Sequence, residues 1–141
     1  MANFAFYNFI FYEKTGCSGN AKQKELLKNH NISFTVKSLL DEKWTFESLN
    51  EFFKGLEVKD MFNNFAPQIK DEKINILNIK KDEAINLMIK EPILIKRPLL
   101  DINGIKLCGF NLEQINKLLN VNIDTNKKLN TCSSSDTCTN V

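Results

Sequence analysis

Along the chain, apolar residues first fall on alternate positions and then switch to a spacing of three and four, and the switch occurs at one turn. Residues 3–12 are aromatic-rich and alternate, which predicts a buried β-strand. From residue 18 the spacing is helical, so 18–29 predict a helix with Ser18 as its N-cap. Residues 32–40 alternate again and carry β-branched side chains, predicting a second strand. Trp44, Leu49, Phe52, Phe53 and Leu56 repeat at helical spacing around a Thr45 N-cap. Residues 58–64 predict a short helix ended near Pro67, and 74–79 fit neither period. Residues 81–90 predict a helix with Ile85, Met88 and Ile89 on one face, stopped by Pro92. Short strands are expected at 93–96 and 99–102, and Asn103-Gly104 is a two-residue hairpin signal leading to a strand at 105–108. Asn111-x-x-Gln114 resembles a capping box that opens a last helix with Leu112, Ile115, Leu118 and Leu119 inward.

A strand, a crossover helix and a strand in succession predict a parallel pair. The full order, β-α-β, a helical insert, then β-β-α, predicts an α/β domain with a mixed four-stranded sheet flanked by helices. That is the thioredoxin-like fold with helices inserted in its middle. The domain is expected to span 1–123 and to be followed by a polar tail, 124–141, too poor in apolar residues to pack.

The turn at the change of period carries the first candidate chemistry. Gly16-Cys17-Ser18-Gly19-Asn20 puts a cysteine at a helix N-terminus, where unpaired N–H groups and the positive end of the helix dipole favour a thiolate and lower the thiol pKa. Gly16 and Gly19 permit a sharp bend and close approach of a substrate. Ser18, Gly19 and Asn20 are then expected to help bind an anion beside a nucleophilic Cys17. The alternative is a buried cysteine that acts only as a small hydrophobe.

Arg97 is the second. Of 19 basic residues it is the one arginine, in a chain rich in Asn, Lys and Ile. An arginine that stands against such a bias is expected to serve through its planar, five-donor fork, lining an open anion site together with Pro98, or else to form a surface salt bridge. The Arg97-Pro98 bond is also a candidate cis peptide.

Composition removes several classes of function. The chain has 141 residues, 43% hydrophobic and 26% charged, as one globular domain does. Net charge is +2 with the lysines dispersed, which gives no support to nucleic-acid or membrane-surface binding. No apolar run reaches the roughly 18 residues of a membrane-spanning helix. Residues 2–12 lack a basic flank and a small-residue cleavage site, so no export signal is expected and the compartment is read as a bacterial-type cytoplasm.

The remaining cysteines have structural and chemical readings. Cys108 is either a core thiol or a resolving partner for Cys17, the latter only with Cα atoms within about 7 Å. Cys132 and Cys138 could pair, bind metal weakly or deliver a resolving thiol. With His30 the one histidine, no metal site is expected. Asn20 stands three residues after Cys17, so a Cys-x-x-Cys pair is excluded at this turn.

Phe11-Tyr-Glu-Lys-Thr-Gly-Cys17-Ser-Gly-Asn-Ala-Lys-Gln-Lys-Glu-Leu-Leu27, Leu40-Asp-Glu-Lys-Trp-Thr45-Phe46, Glu91-Pro-Ile-Leu-Ile-Lys-Arg-Pro-Leu-Leu100 and Leu107-Cys-Gly-Phe110 resemble the arsenate reductase (ArsC) and Spx family over roughly 4–120. The nearest branch is the small subgroup called nitrogenase-associated proteins. The resemblance implies Cys17 as thiol nucleophile and Arg97 as ligand of an oxyanion or a glutathione-like carboxylate. Reductases of the family hold their oxyanion with three arginines. This chain offers Gln68 or Lys70 near the first of those positions and Cys108-Gly109-Phe110 near the last, as in the Spx-like branch. One bidentate fork is a weak cradle for a doubly charged oxyanion, so arsenate reduction is disfavoured. Two functions remain open: a monothiol protein with no tightly bound cofactor that exchanges with glutathione or a protein thiol or disulfide, or a non-catalytic regulatory protein that binds a protein partner, linked to nitrogen metabolism.

Overall fold

Phe9–Glu13 forms β1, and its alternation sets the architecture: Phe9 and Phe11 point to one face of the sheet, Ile10 and Tyr12 to the other. The computed structural model describes residues 8–71 and 73–125. After β1 come α1 (Ser18–Asn29), β2 (Thr35–Ser38), α2 (Phe46–Asn50), α3 (Pro67–Lys70), α4 (Lys81–Lys90), β3 (Leu99–Ile102), β4 (Ile105–Cys108) and α5 (Leu112–Leu119). The sheet runs β2-β1-β3-β4, with β1 parallel to β2 and antiparallel to β3, and β3 antiparallel to β4. This is the mixed four-stranded sheet expected. The part of the first predicted strand before residue 8 and the tail cysteines Cys132 and Cys138 lie outside the described residues.

Each face of the sheet has its own core. On one, Phe9, Phe11, Leu100 and Ile102 pack with Leu26 and Leu27 of α1 and Ile115 and Leu119 of α5. On the other, Tyr12 and Leu99 pack with the inserted segment through Leu49, Phe53, Met61, Ile85 and Met88. Tyr12, Trp44 and Phe52 meet there as a mutual aromatic cluster with centroids 5.1 to 5.7 Å apart.

Local chemistry sets the element ends. Thr45 caps α2 in a reciprocal box with Ser48, and the helix tightens into a 3-10 turn over Glu51–Phe53. Asn103 and Gly104 both have positive φ, 53° and 89°, as the two-residue hairpin requires. Asn111 caps α5 by accepting from the Gln114 N–H at 3.1 Å. Three expectations are corrected. The 58–64 segment is a 3-10 turn over Val58–Met61, and Pro67 starts α3 rather than ending a helix, because proline suits the first helical position where no N–H is needed. The 93–96 strand is instead a 3-10 turn over Pro92–Leu94 followed by a single antiparallel bridge, Phe62 to Ile95. The second strand is shorter than 32–40, at Thr35–Ser38.

Candidate thiol site

Cys17 itself is the N-cap of α1, with extended backbone (φ −76°, ψ 119°), and Ser18 is already helical. The expected Ser18 cap is thereby corrected: the cap is the residue whose backbone stays extended, and here that is the cysteine. The turn is made by Gly16 at φ +87°, a conformation that a side chain would strain. Gly19 lies inside α1 and makes no bend. The Cys17 N–H donates to the Lys14 carbonyl at 3.1 Å, and the Cys17 carbonyl accepts from Ala21 at 3.0 Å as the first bond of the helix.

Asn20 braces this turn. Its Oδ1 accepts from the Lys14 N–H at 3.1 Å and its Nδ2 donates to Gln23 Oε1 at 2.9 Å, with Asn20 and Gln23 both buried. The polar atoms of Asn20 are therefore engaged within the turn.

Arg97 is brought to Cys17 from the far end of the chain, one residue before the cis Pro98 that leads into β3. Its exposure is 1%, and that of Cys17 is 3%. The arginine is interior, which corrects the reading of it as half of a surface salt bridge. Burial pulls the guanidinium below its usual pKa, while the charge of Cys17 and a side-chain hydrogen bond to it act in the opposite direction. Arg97 and Cys17 are thus within electrostatic and hydrogen-bonding reach of each other in the interior.

Arg97 also borders a cavity of about 110 Å³ lined by Lys59, Asp60, Phe62, Asn63 and Lys96, among others. The residues expected near this place are elsewhere. Gln68 Nε2 donates to Glu91 Oε1 at 2.8 Å, and Lys70 is exposed at the end of α3. Asn63 stands there instead, but as a clamp. Its Nδ2 donates to the Ile93 carbonyl at 3.2 Å, its Oδ1 accepts from Phe65 at 3.1 Å, and its backbone N–H donates to Leu94 at 2.7 Å.

Three lysines of the region were not singled out by the sequence. Lys14 is 6% exposed, and its amine feels both Arg97 and Cys17. Lys59 and Lys96 line the cavity. One lysine among many offers no contrast in a sequence, although the position of Lys14, between a strand and the Gly-Cys turn, was available as a signal. Cys108 ends β4 and packs against the insert-side core. Burial pushes its thiol up to about 12, Lys96 opposing and Asp60 adding to the shift. Among the described residues no group of three or more His, Cys, Asp and Glu side chains is placed to hold a metal ion, and no helix is long and apolar enough to cross a membrane.

The ArsC family model matches residues 12–118 of the chain. A 15.7 kDa protein in the draG 3′ region of Rhodospirillum rubrum is 30% identical over 128 residues, covering 91% of this chain and 90% of that protein. The global transcriptional regulator Spx 2 of Bacillus cereus is 27% identical over 78% of this chain and 86% of its own length. Among solved structures, an ArsC-family-related protein from Bacteroides fragilis superposes with a TM-score of 0.69 at 30% identity, covering 79% of this chain and 98% of that one.

Proposed function

The chain belongs to the ArsC family, and within it we propose a monothiol exchange protein whose nucleophile is Cys17. The observation that carries this reading is the pairing of two buried residues, Cys17 as the N-cap of α1 and Arg97, the one arginine of the chain, brought beside it. The Cys17 thiolate attacks one sulfur of a disulfide. The new Cys17–sulfur bond forms as the old sulfur–sulfur bond breaks, and the departing thiolate takes a proton from water. A second thiol, of the glutathione class or on a protein, attacks the mixed disulfide and returns Cys17 as thiolate. Asn20 replaces a neighbouring resolving cysteine, so the cycle needs that external thiol. Arg97 orients the sulfur and holds its charge, and Ser18 and Gly19 flank it in the first turn of α1. The working unit is residues 1–123, acting in the cytoplasm without a tightly bound cofactor.

Arsenate reduction is not the activity we assign. A single guanidinium, itself interior, supplies one fork for an oxyanion. The test is to incubate the full chain with glutathione disulfide and locate adducts by peptide mass spectrometry, with arsenate turnover followed in parallel using glutathione and glutaredoxin. An adduct at Cys17, slowed about 10- to 100-fold in Arg97→Met as expected for loss of a charge-assisted hydrogen bond, is the expected result. Absence of any Cys17 adduct overturns the exchange reading. Robust Cys17-dependent turnover of arsenate overturns the exclusion.

The likeness to proteins named as regulators favours one further reading, a non-catalytic protein that binds a partner. The relative in the draG 3′ region motivates a link to nitrogen metabolism. Partner capture that survives Cys17→Ser is the outcome specific to this second reading.

A further inference from the structure

We propose that Asn103 is a modification site at which this chain deamidates spontaneously once the β3–β4 hairpin opens, and that Asp101 is the residue that withholds the reaction in the folded protein.

An asparagine followed by glycine carries the reactants in its own backbone. The nitrogen of the glycine, once its proton is lost to hydroxide, attacks the asparagine Cγ. The new N–Cγ bond forms as the C–N bond of the side-chain amide breaks, and the departing nitrogen takes a proton from water and leaves as ammonia. Water then opens the cyclic imide at either carbonyl, giving aspartate or isoaspartate at position 103 with no change of oxidation state. Glycine leaves the attacking nitrogen unhindered, and the space beside the Gly104 Cα is open. Asn103 and Gly104 are both exposed, so hydroxide and water reach them.

The closed hairpin opposes each step. The Gly104 N–H donates to Asp101 Oδ1 at 2.9 Å, so the proton that must leave is shared with a carboxylate, and the negative charge beside it disfavours the amide anion. Asp101 is itself held. Its other oxygen accepts from Lys106, directly across the β3–β4 ladder, and the Lys106 amine also lies 5.7 Å from the centroid of the Phe52 ring. Asn103 is fixed from the other side by Asn8. The Asn103 N–H donates to the Asn8 carbonyl at 2.8 Å, and Asn103 Oδ1 accepts from the Asn8 N–H at 3.0 Å, so the side-chain amide is tied to residue 8 instead of turning onto the Gly104 nitrogen. The pairs Asp101–Lys106 and Ile102–Ile105 leave room for two turn residues of ordinary backbone length. Isoaspartate lengthens that backbone by a carbon, so the modified hairpin cannot close as before.

The experiment incubates the full chain at neutral pH, folded and in urea, and follows deamidation and isoaspartate at residue 103 by peptide mass spectrometry. The folded parent should react about 10- to 100-fold more slowly than the same chain in urea, as loss of a hydrogen bond to a charged group would give. Asp101→Ala should lose most of that protection. Asp101→Asn, which keeps an acceptor without the charge, should fall between, and it carries the same test should the alanine variant not fold. In urea all three should react alike. Exchange of the Gly104 N–H with deuterium removes the same proton, so it should accelerate in step in the folded variants while the amides of Leu100 and Ile102 keep the parent's rates, a pattern that general loosening would not give. Equal rates for the folded and unfolded parent overturn the proposal, and so does an Asp101 variant that deamidates at the folded parent's rate. Faster deamidation with all the hairpin amides released together shows that Asp101 acts only through folding, and its assigned role falls.

Discussion

Burial pushes the Cys108 thiol up to about 12, with Asp60 adding to the effect and Lys96 opposing it. Cys17, also buried, lies within electrostatic reach of Arg97. One residue type thus meets two environments, and the difference is measurable. Because the thiolate is the reactive form and the Cys108 proton leaves only near pH 12, the fraction ionised at pH 8 is about one in ten thousand. Alkylation of Cys108 in the folded protein should rise about tenfold per pH unit between pH 7 and 10 with no plateau, as followed by peptide mass spectrometry. A plateau near pH 9 would show an ordinary thiol open to water. At this scale the sequence was legible where a residue stood out against its background. Arg97 stood out as the one arginine, and its partner Cys17 as the one cysteine in a Gly-bounded turn. Lys14 did not, because nothing in composition marks which of many lysines the fold will bury.

At the scale of elements, a turn side chain accounts for how the thiol site is held. Asn20 was read as an anion ligand, yet its oxygen takes the Lys14 N–H and its nitrogen goes to Gln23. Asn20→Ala leaves a buried N–H unsatisfied, which costs about 1–3 kcal/mol. Urea denaturation should show a lower midpoint with an unchanged slope. Disulfide exchange at Cys17 should slow as well, since Lys14 and Cys17 share the turn. A midpoint equal to the parent's would show that water replaces the amide and that Asn20 is open to a ligand. The strands, the Asn103-Gly104 hairpin and α4 were readable because their periods and turn residues agreed. The segment 93–96 was not, since three apolar residues after a proline suit a strand or a tight turn equally, and the carbonyls of Glu91 and Pro92 chose the turn by accepting from Leu94 and Ile95. Pro67 was misread for a related reason: the same ring that stops one helix starts another.

For the molecule as a whole, the inserted segment does more than cover one face of the sheet, because it also fastens the segment that leads to Arg97. Phe62 bridges Ile95, the Lys96 N–H donates to the Met61 carbonyl at 3.0 Å, and Asn63 bonds to Ile93 and Leu94. No local pattern in the sequence announces contacts some thirty residues apart such as Asn63 to Ile93. Asn63→Ala removes the buried bond to the Ile93 carbonyl and the part-buried acceptor of the Phe65 N–H. Stability should fall by about 1–3 kcal/mol. If the insert sets the position of Arg97, the rate of disulfide exchange at Cys17 should fall in the same variant at temperatures where it is still folded. Asn63→Asp keeps the acceptor for Phe65 but loses the donor to Ile93, so it should fall between the two. Thermal melts and exchange rates measured on the same three proteins decide the matter. A loss of stability with Cys17 exchanging at the parent rate would show that Arg97 is held by β3 and Pro98 alone, and that the insert serves only as a cover.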